Sequence, residues 1–403
     1  MHAVRIVPLR PWAMNWKSLI LLTLCATAPA CGQAPPIRTP AAGEASPSLR
    51  SVAPAADARP VAPQPPISRR LEDAAAITAL KSVVVAQDGV VVAERGYNGH
   101  RPGAPTNIKS ASKSVVAALV GIAIDKGMLD STDQPVAPLL RDDLPASPDP
   151  RLARITIGHL LSMQAGLDRT SGSNYGRWVS SGNWVRAALA QPFVDEPGGR
   201  MLYSTGSTHL LSAILTGASG RSTLQLAREW LGPQQGFAIS SWDRDPQGVY
   251  FGGNNMAMST RSLLAFGELY RNGGRSADGR QLLPEAWVAD SWRPRTASAW
   301  NGDGYGYGWF LREIGGEQVR YGWGYGGQMV YVVPSLRLTV AMTSDDSTAS
   351  ARSGHRDALH ALLDVIIASA RANPAPAPAA RTVSARSTPA AAGAGHVDAA
   401  VAR

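Results

Sequence analysis

Two apolar runs, Ser82–Ala86 and Val90–Ala93, flank the dipeptide Asp88-Gly89. Asp-Gly between β-branched runs predicts a tight hairpin over 82–94. From Ser110 to Lys126 the apolar residues Val116, Leu119, Val120 and Ala123 recur at helical spacing, and Gly127 can close that helix. Residues 155–167 predict a short helix ending at Gly166, and helical periodicity returns at 183–191, 207–217, 222–231, 259–272 and 284–291. The pattern then changes. Tyr305–Arg312, Glu317–Trp323, Gln328–Val333 and Arg337–Thr343 predict strands, with Pro334-Ser335 as a turn, and Ala351 to Ala370 predicts a closing amphipathic helix. Strands at both ends with helices between them argue for an α+β fold. Its mostly antiparallel sheet is built from the N- and C-terminal parts, flanked by helices and interrupted by a helical insertion subdomain. A site is expected where the two parts meet.

The ends of the chain differ from this core. Residues 1–30 look like a signal peptide. Arg5, Arg10 and Lys17 precede a mostly apolar stretch, Ser18 to Thr27, that is shorter than the ~20 residues needed to span a bilayer. Ala28-Pro29-Ala30 then offers a small-x-small cleavage pattern, followed by Cys31. A Cys in that place resembles a bacterial lipoprotein processing site, which implies lipid attachment at Cys31. Ala28 departs from the Leu usual there, so simple secretion and an uncleaved tether stay open. Residues 31–70, rich in Ala and Pro, are expected to form a flexible spacer, and 372–403 a tail of the same kind. The folded domain is expected at 71–371, exported to the periplasm or cell envelope.

Charge excludes one class of partner. The net charge is +9, but residues 1–66 and 372–403 carry much of it, and no Lys/Arg-rich run occurs in the core. A nucleic-acid partner is therefore not expected. The only cysteines are Cys25 and Cys31, so the core has neither a disulfide nor a Cys-based metal site. There is no His-Glu-x-x-His, no Gly-x-Ser-x-Gly and no phosphate-cradling Gly-rich loop. No metal and no cofactor are expected.

Ser110-Ala111-Ser112-Lys113 opens the predicted helix. Residues three apart share a helical face, so Ser110 and Lys113 can touch. A serine hydroxyl needs a neighbouring base to become a nucleophile. Lysine can serve when burial lowers its pKa, whereas arginine cannot deprotonate. The free N–H groups at a helix start suit a developing oxyanion. Alone the tetrapeptide is a weak signal, and Ser110 could simply cap a helix. His159 and Asp168 could invite a Ser-His-Asp reading, but they lie in a segment for which a family resemblance implies a structural role.

Context strengthens the motif. Ser-x-x-Lys after a hairpin resembles the signature of penicillin-recognising serine enzymes. Ile155 to Leu167 resembles a helix-and-turn segment of the class C β-lactamase and esterase branch. Pro197-Gly198-Gly199-Arg200-Met201-Leu202-Tyr203-Ser204-Thr205 resembles that family's second element, and Trp323-Gly324-Tyr325-Gly326-Gly327-Gln328 stands where it places Lys-Thr-Gly or His-x-Gly. The likeness covers about residues 75–370. Asn183-Trp184-Val185 and Tyr305 to Trp309 look most like the subgroup of 6-aminohexanoate-dimer hydrolase and family VIII carboxylesterases. The resemblance implies a β-lactamase/transpeptidase-like fold with catalytic Ser110, Lys113 and Tyr203. It also implies an oxyanion hole from the backbone N–H groups of Ser110 and Gln328, and a substrate pocket including Thr205, Tyr325, Gly326 and Gly327.

Departures narrow the function. Tyr325 replaces the Lys or His, and Gly326 the Thr or Ser, that would hold an antibiotic's carboxylate, and Thr205 replaces an amide-contacting Asn. The expectation is a serine hydrolase acting on small-molecule esters or small linear amides. A β-lactamase or D-alanyl-D-alanine carboxypeptidase is the alternative, and a non-catalytic envelope binding protein the second. A membrane contact is expected only through a lipid at Cys31.

Overall fold

A computed structural model describes residues 64–346 and 354–374. Cys31, the expected signal peptide, most of the spacer and the C-terminal tail lie outside the described residues. The N-terminal part runs through α1 (Ile67–Asp73), β1 (Leu80–Gln87), β2 (Val90–Gly96), β3 (Pro105–Asn107) and α2 (Ser112–Asp125). The middle holds α3 (Ile157–Leu161), α4 (Tyr175–Val179), α5 (Trp184–Leu189), α6 (Thr205–Ser219) and α7 (Thr223–Trp230). It continues with β4 (Ser241–Trp242), β5 (Met256–Ser259), α8 (Thr260–Arg271) and α9 (Glu285–Ser291). The last part is β6 (Thr296–Ala297), β7 (Gly304–Tyr305), β8 (Phe310–Ile314), β9 (Glu317–Gly324), β10 (Gln328–Val333), β11 (Leu338–Ser344) and α10 (His355–Ala372).

The main sheet has the order β2-β1-β11-β10-β9-β8-β7-β6, all antiparallel. The hairpin and the C-terminal strands therefore share one sheet, as their patterns predict. Asp88 (φ 55) and Gly89 (φ 83) make the left-handed turn that matches strand twist. Side chains alternate between the two faces with the strand period of two. Val84, Ala86, Val330, Val332 and Ala341 enter a core shared with α2 and α8. Val83, Val85, Met329, Tyr331 and Met342 enter a second core, under α1 and α10. In α10, Leu359, Leu363, Ile366 and Ile367 share one face and are fully buried. Each such side chain contributes about 1.5–3 kcal/mol by leaving water.

Two features depart from the expected pattern. The folded part begins by Ile67, inside the segment read as spacer, because Ile67 and Leu71 lie four apart on α1 and enter the second core. Tyr305–Arg312 is not one strand but β7 and β8 joined through Gly306 and Gly308. Gly308 has φ 78, and a Cβ there would lie 2.9 Å from that of Ala117, so the chain turns over the surface of α2. A small separate sheet, β3-β5-β4, carries no periodic signal in strands this short. It ends against the turn that precedes α2, and so positions the start of that helix.

Candidate active site

α2 is buried on every side from Ser112 to Ala123, as expected of a helix that is apolar all round. Ser110 sits in the 3-10 turn Lys109–Ala111 just before it. Lys109 takes the left-handed conformation, φ 51, which a non-glycine residue adopts only when its surroundings hold it. Asn107 Oδ1 accepts from the Lys109 N–H at 2.9 Å, and Ser112 Oγ donates to the Lys109 carbonyl at 2.7 Å. Ser110 makes no cap. Its hydroxyl faces a cavity of about 440 Å³.

Lys113, one turn on from Ser110 and the second residue of α2, is 2% exposed. Its Nζ donates to Ser110 Oγ at 3.0 Å, to the Gly253 carbonyl at 2.8 Å and to Thr205 Oγ1 at 3.3 Å. Among the described residues no carboxylate lies within ion-pair distance of it. Burial without a counter-charge pulls its pKa down to about 7, so a large fraction of the amine is neutral at physiological pH. Tyr203 precedes α6 and lines the same cavity, with the Lys113 ammonium 5.1 Å from its ring centroid. Burial raises its phenol to about 12, and a hydrogen bond with Ser110 opposes that rise. The arrangement thus pairs an amine able to take a proton with a phenol that keeps its own.

Thr205 lines the cavity and shares a 3.0 Å hydroxyl contact with Ser171, whose Oγ also accepts from the Thr205 N–H at 2.9 Å. Tyr325 lies in the turn between β9 and β10, is 46% exposed and reaches the cavity. Gly326 and Gly327 do not line it. A Cβ on Gly326 would meet Asp346 at 2.6 Å, and one on Gly327 would meet the His355 ring at 2.8 Å, so their space is closed by the end of β11 and by α10. Gln328, whose backbone N–H is the group expected at the oxyanion, does not line the cavity either. It is fully buried in β10, opposite Gly324, and its amide clamps the Ser344 backbone at 2.8 and 3.1 Å. The hairpin approaches Ser110 through Trp323, Gly324 and Tyr325. A Cβ on Gly324 would lie 2.1 Å from the Ile108 carbonyl, so only glycine lets β9 approach the Ser110 turn.

The β-lactamase-type fold places these parts, and the chain matches the model of the family described as Beta-lactamase over residues 71–364. The chain belongs to the beta-lactamase family. Its members are serine hydrolases built on an antiparallel sheet with flanking helices. A solved structure from Bacillus anthracis, assigned as a 6-aminohexanoate-dimer hydrolase, is 19% identical with a TM-score of 0.63, covering 74% of this chain and 81% of that one. A family VIII carboxylesterase is 17% identical with a TM-score of 0.60, covering 77% and 98%. A curated relative, the probable fimbrial assembly protein FimD (serogroup H1) of Dichelobacter nodosus, is 33% identical over 144 residues. That match spans only 34% of this chain and 36% of the relative.

Within this beta-lactamase fold, several site residues carry no local sequence signal. Ser171, Trp300, Asn254 and Gly253 come from loops far apart in the chain. Gly252-Gly253-Asn254-Asn255 was the one available hint, since paired glycines mark close backbone approach. Gly253 has φ 85, and a Cβ there would crowd Lys113 Nζ at 2.8 Å. Behind the loop lies a buried pair. His209 Nδ1 accepts from the Gly252 N–H at 3.3 Å, which leaves its Nε2 to donate to Asp245 Oδ2 at 3.0 Å. Asp245 Oδ1 accepts from the N–H groups of Gln247 and Val249. Trp178, Trp184 and Phe251 box the imidazole. His209→Phe is expected to destabilise the fold by about 1.5–3 kcal/mol, because it removes a hydrogen bond from the Asp245 carboxylate in a dry site. Adding Asp245→Asn to that variant is expected to recover part of the loss in urea unfolding, a non-additivity that direct contact requires.

His159 and Asp168 form no relay to Ser110. His159 reciprocates with Thr156 in a capping box at the start of α3, and Asp168 accepts from the Arg169 N–H and from Asn174.

Proposed function

We propose that this protein is an exported serine hydrolase that cleaves carboxylic esters or small linear amides through an acyl-enzyme on Ser110. The contact of a buried, uncompensated Lys113 with Ser110 Oγ, beside Tyr203, carries this reading. Neutral Lys113 takes the Ser110 proton as Oγ bonds to the acyl carbon. The oxyanion is met by the Ser110 N–H and by an N–H of the β9–β10 turn at Tyr325, which lines the cavity beside it. As the acyl carbon–oxygen or carbon–nitrogen bond breaks, Tyr203 gives its proton to the leaving group and regains one from Lys113. Water then enters, loses a proton to the same groups, and releases the acid.

The alternative of a β-lactamase or D-alanyl-D-alanine carboxypeptidase is less well supported. The cationic rim residue Lys109 is engaged by Asp346 at 2.8 Å, and aromatic side chains stand where the carboxylate clamp would be. The names of the similar carboxylesterase and amide hydrolase agree with the ester or amide reading. Export, with lipid attachment at Cys31, rests on the N-terminal sequence and is tested by loss of detergent partitioning in Cys31→Ala.

A fluorophosphonate probe is expected to label Ser110 alone, with Ser112 and Ser114 as internal controls. Ser112 is tied to the Lys109 carbonyl and Ser114 to that of Gly308, and both are fully buried. Wild-type turnover of 4-nitrophenyl butyrate by Ser110→Ala would overturn the proposal, whereas a wild type that turns over no ester or amide would favour a binding protein.

A further inference from the structure

Tyr203 and Trp300 stand between two cavities. Their rings meet edge to face at 5.5 Å, and both side chains line the nucleophile's cavity and a second one of about 350 Å³. Trp300 is 51% exposed, an unusual position for a large apolar ring unless something lies against it.

The two cavities differ in chemistry. Around Ser110 the walls are aromatic and neutral: Tyr175, Trp323 and Tyr325, with Asn254 donating to the Tyr175 hydroxyl at 2.8 Å. Among the described residues that line it, the one cationic side chain is Lys109, which is held by Asp346. Beyond Tyr203 the lining is an apolar strip, Val194, Met201, Leu202 and Ala299, edged by Asp168, Arg169 and Arg200. Asp168 sets one negative charge against these two guanidiniums, its oxygens accepting from the Arg169 N–H at 2.9 Å and from Asn174 at 3.2 Å, so the rim keeps a net positive charge. Arg200 is only loosely paired, 3.7 Å from Asp195. Among the described residues the Arg169 guanidinium makes no ion pair and no hydrogen bond.

Position assigns the second cavity to one half of the substrate. Tyr203 is the proton donor of the proposed mechanism, so the leaving group departs past its ring, and the acyl group stays with Ser110 on the neutral side. We infer that the cavity beyond the Tyr203–Trp300 pair is a leaving-group subsite for an alcohol or amine whose apolar chain ends in an anion, with Arg169 and Arg200 receiving that end. The inference rests on the acyl-enzyme reading for its orientation. The reaction is ordinary acyl transfer to water: the bond from the acyl carbon to this arm breaks, an ester releasing the arm as an ω-hydroxy acid and an amide releasing it as an ω-amino acid. Apolar contact along the strip supplies area, and two guanidiniums able to bind a carboxylate side-on supply the discrimination.

The test uses two butyrate esters of equal length, 6-butyryloxyhexanoate and 6-butyryloxyhexanamide, which differ only in the terminal charge. The wild type is expected to show a KM about tenfold lower for the carboxylate. In Arg169→Gln/Arg200→Gln the ratio of the two KM values is expected to fall to about one, and in wild type it should shrink with added salt as exposed charges are screened. Equal KM values in the wild type, or a ratio that survives the double substitution, would overturn the subsite. Binding of the product 6-hydroxyhexanoate, followed by calorimetry in wild type and in the double variant, reads the subsite without turnover. Loss of that binding in the double variant supports it even if no ester is cleaved, whereas failure to cleave 4-nitrophenyl butyrate would strike the catalytic reading alone.

Discussion

Lys113→Arg is expected to lower kcat/KM for 4-nitrophenyl butyrate by about 10²–10⁴-fold, as much as Lys113→Ala, although it keeps the charge and most of the side chain's volume. The reason is the pKa. Burial brings Lys113 to about 7, so the wild type can offer a neutral amine to Ser110, while a guanidinium stays protonated. The pH profile follows with a definite sign. kcat/KM rises as Lys113 loses its proton through about pH 7 and then holds a plateau, because Tyr203 keeps its proton until about 12. Stability runs in parallel. Folded Lys113 has a lower pKa than the unfolded lysine's 10.5, so the cost of burying its charge is fully present below about 7 and fades as pH climbs toward 10.5. Relative to Lys113→Met, the wild type is therefore expected to gain stability by up to about 1.4 kcal/mol per pH unit across that window, measured by urea unfolding. A wild-type profile flat from pH 5.5 to 8.5, or near wild-type activity in Lys113→Arg, would remove Lys113 as the base.

Tyr203→Phe separates the base from the acid. The phenylalanine ring keeps the edge contact with Trp300 and the stacking on Phe310, so unfolding should change little. The hydroxyl that bonds Ser110 is lost, and with it the proton for the departing group. The expected loss is about 10²–10⁴-fold for amides. It should be smaller for 4-nitrophenyl esters, whose phenoxide leaves without a proton. Equal losses for the two substrate classes would move Tyr203 from acid to a role in positioning Ser110.

The long periodic elements of this chain were legible in its sequence. β1, β9, β10, β11, α8 and α10 each bury one face or both against a neighbour, and their periodic or continuous apolar runs follow from that, whereas β2 was legible from its Val-rich run after Asp88-Gly89 although its side chains stay largely exposed. Elements of two or three residues, such as β3, β4 and β6, contain too few positions for any period. α1 was hidden in a Pro-rich stretch. At the site, Ser110 and Lys113 were legible because their contact is made within one helical turn. Thr205 and Ser171 meet across 34 positions and Lys113 and Gly253 across 140, and loop-to-loop contacts of that kind leave no local pattern. The shortness of the turn between β9 and β10 also left no local pattern. Gly324 already pairs with Gln328, so the chain has crossed into the next strand where the cavity was expected to continue.

The place of β11 in the main sheet governs how the molecule is made. β1 pairs with β11 along its whole length, so Leu80 to Gln87 meets Leu338 to Ser344 across some 250 residues of intervening chain. Until that last strand arrives, β1 has β2 on one edge and nothing on the other, and β10 also lacks its neighbour. Such non-local closure makes folding slow and leaves strand edges open while it waits. A chain emerging end-first from a ribosome or a translocation pore therefore cannot finish this sheet by stages. Fragments that stop before residue 338 should aggregate rather than fold, and the Ser110 turn gains its rigid backing only in the final steps of assembly.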